Sequence, residues 1–406
     1  MQNSSNGTIT VSKKAKEDRF QYHDYYQVDE LLSEEHLLAR EAVRAWVKAE
    51  VSPIIEEYAD KAQCPTHLFK GLAEIGAFGP SLPAEYGCGG MDEIAYGVIM
   101  QELERGDSGV RSMASVQGSL VMYPIYKFGS EEHRRTYLPK LASGELIGCF
   151  GLTEPDFGSN PAGMISNIKD DGDAYILNGA KMWITNSPVA DIAVVWAKDE
   201  GGKIRGMILE KGMKGFSAPE IHGKWSLRAS ITGELIFEDV RVPKKNILPH
   251  AEGLKGPLAC LSKARYGIAW GALGAALDCY DTALRYSQER LQFDKPIGAF
   301  QLTQKKLAEM ITEITKAQLL VWRLGTLANV GKATAAQISM AKRNNVFIAL
   351  TIAREARQIL GGMGITNEYP IMRHMMNLET VLTYEGTHDI HLLITGMDVT
   401  GFNAFK

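Results

Sequence analysis

The chain has 406 residues, of which 45% are hydrophobic and 23% charged, and its formal net charge is −4. That length implies two or three packed units, and the composition is that of an ordinary globular protein. With no basic excess, nucleic acid and acidic lipid are excluded as principal partners, so the chemistry has to lie in local sites.

Residues 1–25 are mostly polar with mixed charge and read as a flexible arm. They lack the apolar core of a secretory signal, and Glu17 and Asp18 fit poorly with a transit peptide. Positions 26–148 have a helical pattern, with a stripe of Leu38, Ala42, Ala45 and Val47. Pro53, Pro65 and the Gly87-Cys88-Gly89-Gly90 cluster interrupt it. From 149 to 250 the signal turns to strands: short runs beginning at Ala174, Met182, Ile192 and Ile204 are rich in β-branched and aromatic residues. Asp199-Glu-Gly-Gly reads as a hairpin connection. Without intervening helices, this part is expected to be an antiparallel barrel or sandwich. Positions 251–406 are helical again, with apolar residues every three or four positions from Leu261 to Leu284, Leu307 to Leu324 and Ala349 to Leu360. Long amphipathic helices in series predict a bundle.

The five cysteines (Cys64, Cys88, Cys149, Cys260, Cys279) form no C-x-x-C pair. They argue against a disulfide framework or zinc ribbon and fit a reducing compartment. No apolar run reaches the roughly 18 residues that a membrane span needs. The expected location is the cytoplasm, or the mitochondrial matrix after removal of a transit peptide.

Neither G-x-G-x-x-G after a strand nor G-x-x-x-x-G-K-[ST] occurs, which disfavours nicotinamide and phosphoryl-transfer chemistry. Gly361 and Gly362 read as a helix C-cap. His388 and His391 lack the convergent partners of a metal site, so no metal is expected. Glu385 precedes Gly386, and Thr387 is a natural N-cap for a helix with Asp389 in its first turn. A carboxylate in such a loop can lie beside backbone N–H groups that stabilise an enolate oxygen. On this segment alone, catalysis and simple favouring of a helix start are equally compatible with Glu385. Thr153 and Ser159, in a Gly- and Pro-containing segment, and the Trp183 aromatic face suit a planar ligand; a barrel rim with a core Trp would look similar.

These pieces, in this order, resemble the acyl-coenzyme A dehydrogenase family. The resemblance runs through GLTEPDFGS (151–159), WITNS (183–187), RLQFDKPIGAFQLTQKKLAEM (290–310), RQILGGMGI (357–365) and TYEGTHDIH (383–391). It implies an N-terminal helical domain, a central β domain, a C-terminal four-helix bundle, FAD as cofactor and a homotetramer. It makes Glu385 the catalytic base. FAD contacts are implied at Phe150, Leu152, Thr153, Gly158 and Ser159, with Trp183, Ile184 and Thr185 beside the flavin. Further FAD contacts are implied at Arg290, Phe293, Gln301, Gln358, Gly361 and Gly362, partly across a subunit boundary. Thr387, Asp389 and Phe405 complete that set. This sequence has Asp294 where the family often has Gly, and Asn160 where it often has Asp.

RGDSGVRS (105–112), KWSLRAS (224–230) and ARYGIAWG (264–271) are similar to the subgroup that acts on glutaryl-coenzyme A. There the Arg-Ser pair, here Arg111 and Ser112, binds the distal carboxylate, a task suited to a planar guanidinium. A surface pairing of Arg111 with Asp107 one turn away is the bland alternative. Ser115, Ser159, Arg265, Tyr384 and Gly386 are implied as further substrate contacts. The implied reaction is oxidative decarboxylation of glutaryl-coenzyme A to crotonyl-coenzyme A, with electrons passed to an electron-transfer flavoprotein. A short-chain acyl-coenzyme A oxidase, another short-chain dehydrogenase, or a non-catalytic relative serving as a binding partner are the alternatives.

Overall fold

A computed structural model describes residues 17–405. The N-terminal helices are α1 (Glu34–Trp46), α2 (Ile55–Lys61), α3 (Leu68–Glu74), α4 (Glu93–Gly106), α5 (Ser108–Ser115), α6 (Tyr123–Phe128) and α7 (Glu131–Ala142). Ser33 starts α1 with a capping box, accepting from His36 N–H while its own N–H donates to the His36 ring. The buried face of α1 is His36, Arg40 and Val43, whereas Leu38 is 64% exposed. Of the expected stripe, Val47 is buried but Leu38, Ala42 and Ala45 are exposed, because pairing buries an arginine on the other face. Arg40 makes two 2.6 Å hydrogen bonds to Asp29 and lies 4.4 Å from the Tyr22 ring centroid.

The first sixteen residues of the expected arm lie outside the described residues. Its next part is not free, which corrects that expectation. Tyr22 accepts a 3.0 Å bond from Gln318, and Asp18 accepts from Ser52 (2.6 Å) and Arg105 (3.0 Å).

The β part contains β1 (Gly148–Gly151), β2 (Asn167–Asp171), β3 (Ala174–Thr185), β4 (Ile192–Lys198), β5 (Ile204–Glu210), β6 (Phe216–Ser217) and β7 (Thr232–Pro243). They form one sheet ordered β1-β4-β2-β3-β7-β6, with β5 on β4. Most pairings are antiparallel, but β1 and β2 each lie parallel to β4, so the sheet is mixed. The runs at Ala174 and Met182 are one long strand, bent where its register with β7 shifts, next to Gly179 (φ +137°) and Trp183 (φ +64°). The Asp199–Gly202 hairpin forms as expected, with Gly202 N–H on the Asp199 carbonyl at 2.8 Å.

The C-terminal part contains α8 (Lys255–Glu289), the hairpin β8 (Leu291–Gln292) and β9 (Lys295–Pro296), then α9 (Gln301–Asn329), α10 (Ala335–Leu360), α11 (Ile371–Thr383) and α12 (His388–Thr400). Helix α8 is buried on nearly every side from Ala264 to Ala283, because it packs on α10 on one flank and α4 on the other. Glycine permits this approach: a Cβ at Gly274 would sit 1.9 Å from the Gln101 carbonyl of α4. Among the described residues, no helix is long and apolar enough to cross a membrane.

Candidate active site

Helices α4 and α5 meet at Asp107, where the chain leaves helical geometry. One Asp107 oxygen caps α5 by accepting from Gly109 N–H at 2.7 Å. The other accepts from Arg373 and Asn377 of α11, both at 2.7 Å. The loop before β7 adds a second attachment: Leu227 N–H donates to Asn377 Oδ1 (2.9 Å) and Ser226 Oγ to the Met376 carbonyl (2.6 Å). Helix α11 is thus held from two sides, and it delivers the loop that follows it. Tyr384 N–H closes the helix on the Thr380 carbonyl at 2.8 Å. Glu385 then adopts φ +53° and Gly386 φ +92° before Thr387 caps α12. A left-handed glutamate costs on the order of 1–3 kcal/mol and persists only where its surroundings impose it. Three bonds to carbonyls impose it here: Lys342 Nζ donates to Tyr384 O (2.5 Å) and Gly386 O (2.7 Å), and Arg265 Nε to Glu385 O (2.6 Å).

The residue Glu385 is half-buried, yet its Oε2 is shielded from solvent and lacks a hydrogen-bond partner. Burial raises its pKa, and the charges of Arg111, Lys342 and Arg265 pull the other way. Burial also lowers Lys342 and Arg265, each opposed by the Glu385 charge. His391 is pushed far down by burial, then by Lys342 and Arg265, with the Gly386 backbone pulling the other way, so its ring is neutral. No cluster of metal-ligating groups occurs among the described residues.

Arg111 is 1% exposed. Its Nε donates to Glu104 Oε2 at 2.9 Å, and its other arm donates to the Tyr384 hydroxyl. The alternative pairing with Asp107 does not form, since Asp107 is occupied by α11. Glu104 itself was not legible as a site residue. It is fully buried, its Oε1 has no partner, and Gly271 makes room for it: a Cβ there would lie 2.1 Å from Glu104 Oε2. Ser112 and Ser115 are buried nearby on α5, the Ser112 hydroxyl without a partner and the Ser115 hydroxyl facing that of Tyr96. Arg111, Arg265, Tyr384, Glu385 and Gly386 therefore meet, whereas Ser159 sits on an exposed loop. Lys342 was also missed. In the sequence it stands in a Lys-Arg-Asn-Asn run, and only the packing of α10 shows that it is buried while Arg343 is not.

Other positions fall into two groups. Thr153 accepts from Met182 N–H at 2.9 Å, which sets the segment after β1 beside Trp183. Trp183 is 57% exposed, while Phe150, Leu152 and Ile184 are buried behind it in the sheet. The Asn186 amide is buried, and both its polar atoms are orphaned. A buried ion pair that was not anticipated steadies this region: Lys181 Nζ lies 2.8 Å from Glu154 Oε1, and Glu154 also accepts from Ile165 N–H (2.6 Å) and Ser166 N–H (2.9 Å). The second group, Arg290, Phe293, Gln301, Gln358, Gly361 and Gly362, is exposed on this chain. Phe293 and Asp294 form the two-residue turn between β8 and β9, with φ +51° and +63°. Positive φ at both centres explains why glycine suits position 294, so the aspartate there is a matter of backbone conformation. Thr387 is half-buried as the α12 cap, while Asp389 and Phe405 are exposed.

Three family models match successive parts of the chain. They are the N-terminal (33–145), middle (149–240) and C-terminal (251–400) domains of acyl-CoA dehydrogenase. The chain is 34% identical over 393 residues to the mitochondrial short-chain specific acyl-CoA dehydrogenase of Rattus norvegicus, covering 96% of this chain and 95% of the relative. It is 34% identical over 380 residues to the glutaryl-CoA dehydrogenase of Desulfococcus multivorans, covering 91% and 97%. Among solved structures, a glutaryl-CoA dehydrogenase from Mycobacterium smegmatis in complex with FADH2 superposes with a TM-score of 0.92 at 50% identity, covering 94% of this chain and 98% of that one.

Proposed function

We propose that this chain, which belongs to the acyl-CoA dehydrogenase family, catalyses FAD-dependent oxidative decarboxylation of glutaryl-coenzyme A to crotonyl-coenzyme A and carbon dioxide. One observation carries the choice of substrate. The buried cluster holds three cations, Arg111, Arg265 and Lys342, against two carboxylates, Glu104 and Glu385. A buried positive excess is costly until an anion arrives, and a thioester with a distal carboxylate supplies one. The half-occupied Arg111 guanidinium and the unpartnered Ser112 hydroxyl are suited to receive it.

The residues also fit FAD. Trp183 offers an exposed aromatic face, the buried Asn186 amide three residues on has both polar atoms unpartnered, and a Cβ at Gly158, Gly361 or Gly362 would meet no atom within 4 Å. In a homotetramer the exposed Arg290, Phe293, Gln301 and Gln358 would serve a neighbour's cofactor. When bound, FAD supplies the two-electron acceptor for the substrate's β-hydride.

Glu385 takes the α-proton, and its backbone N–H, which makes no hydrogen bond among the described residues, donates to the thioester carbonyl as negative charge develops there. The enoyl product loses its distal carboxylate as carbon dioxide. The electron pair of the broken bond enters the conjugated system, and the γ-carbon takes the proton from Glu385. Electrons leave to an electron-transfer flavoprotein.

Anaerobic addition of glutaryl-coenzyme A to the yellow protein should bleach the flavin and release carbon dioxide. Bleaching without carbon dioxide would remove the decarboxylation, and peroxide formation in air at the turnover rate would favour an oxidase. Glu385→Gln should keep FAD and lose bleaching by about 10²–10⁴-fold; full bleaching would remove the base.

A further inference from the structure

The strained turn that carries Glu385 is held by a cation that has no part in the proposed proton transfer. Lys342 is 1% exposed, and its hydrogen bonds among the described residues go to the carbonyls on either side of Glu385. Arg265 takes the carbonyl between them, so three consecutive carbonyls point at cations. In a trans peptide the C=O and the following N–H point to opposite sides. Fixing the Tyr384 carbonyl toward α10 therefore turns the Glu385 N–H away from Lys342. That is the donor left free for the substrate.

We propose that Lys342 is a positioning residue for this reaction, clamping both neighbours of Glu385 so that its N–H and its carboxylate face the thioester together. The inference rests on reading Glu385 as the base. A lysine serving stability alone would need neither carbonyl, since any partner would satisfy its charge. Here the two acceptors are those whose placement sets the φ and ψ of Glu385. The ammonium also acts on the carboxylate through space, lowering its proton affinity against the effect of burial. The charged or titratable groups facing it are Glu385 and Tyr384 on the loop, Arg265 on α8, Arg111 on α5 with Glu104 behind it, and His388 and His391 on α12, with Arg343 next to it on α10.

The test compares Lys342→Met, Lys342→Gln and Lys342→Arg with Glu385→Gln in the FAD-loaded enzyme, reading single-turnover flavin reduction against pH. Lys342→Met should reduce flavin about 10²-fold more slowly at saturating substrate, as expected for a small misplacement of reacting groups. Below the pH at which Lys342, which burial lowers to about 7, gives up its own proton, the rising limb should move to higher pH, because losing a positive charge lets Glu385 hold its proton more tightly. Lys342→Arg should keep the limb in place while remaining about tenfold slower, since a planar fork does not reproduce a single point donor. An unaltered rate and limb in Lys342→Met overturns the proposal. If that variant does not retain FAD, Lys342→Gln replaces it by the same criteria. If neither neutral variant does, Lys342→Arg at full speed overturns it. Inert Glu385→Gln in the same series keeps the base reading independent of this outcome, and active Glu385→Gln sinks the base reading instead.

Discussion

Replacing Arg111 separates recognition of a second carboxylate from general acyl-thioester oxidation. In Arg111→Met the guanidinium that bonds Glu104 and the Tyr384 hydroxyl is gone, and Glu104 remains fully buried without its counter-ion. Two costs follow. Breaking a buried pair destabilises the fold by about 3–5 kcal/mol. Losing the partner of a desolvated substrate carboxylate costs a further ~2–5 kcal/mol in transition-state binding, roughly 30- to 5,000-fold in kcat/KM. The first cost falls on every substrate and the second only on one that carries the distal carboxylate. The double variant Glu104→Gln/Arg111→Met removes the stranded charge and should recover most of the stability while leaving the discrimination lost. The assay is flavin reduction by glutaryl- and butyryl-coenzyme A in the unaltered protein and both variants, with denaturant unfolding in parallel. Equal losses for the two thioesters in the double variant would refute the carboxylate-binding role.

Gly271→Ala would drive a methyl group into Glu104, 2.1 Å from Oε2, and should cost ~1–3 kcal/mol of stability together with a selective loss of glutaryl turnover; an unchanged denaturation midpoint would contradict the tight α4–α8 contact. Lys181→Met leaves Glu154 buried with only its two backbone donors, so a loss of about 3 kcal/mol is expected in denaturant unfolding, with weaker FAD retention. Because burial raises Glu385, opposed by Arg111, Lys342 and Arg265, kcat/KM should rise with pH through a value above the ordinary carboxylate range, the ionised base being the active form. A limb at the usual carboxylate value would mean that Glu385 is solvated in the working enzyme.

The alternation of helical and strand periodicity was enough to divide the chain into helices, a β unit and helices again, because each element buries one face and its period is local. Two features escaped that reasoning for the same reason. The parallel pairing of β1 with β4 depends on where the first strand enters the sheet, and the buried face of α1 depends on Arg40 finding Asp29 and Tyr22. Polar residues count as surface in a periodicity reading until a distant partner buries them.

The site divides in the same way. Glu385, Gly386 and Thr387 form a contiguous segment, so its loop-then-cap character is written in the sequence, whereas Lys342 stands in a Lys-Arg-Asn-Asn run that reads as surface. That Glu385 takes a left-handed backbone, that Glu104 rather than Asp107 pairs with Arg111, and that Lys342 and Arg265 grip three successive carbonyls were decided by tertiary structure. Those contacts join residues of α4, α5, α8 and α10 to the loop after α11. Their energies depend on burial and distance, and a one-dimensional pattern contains neither.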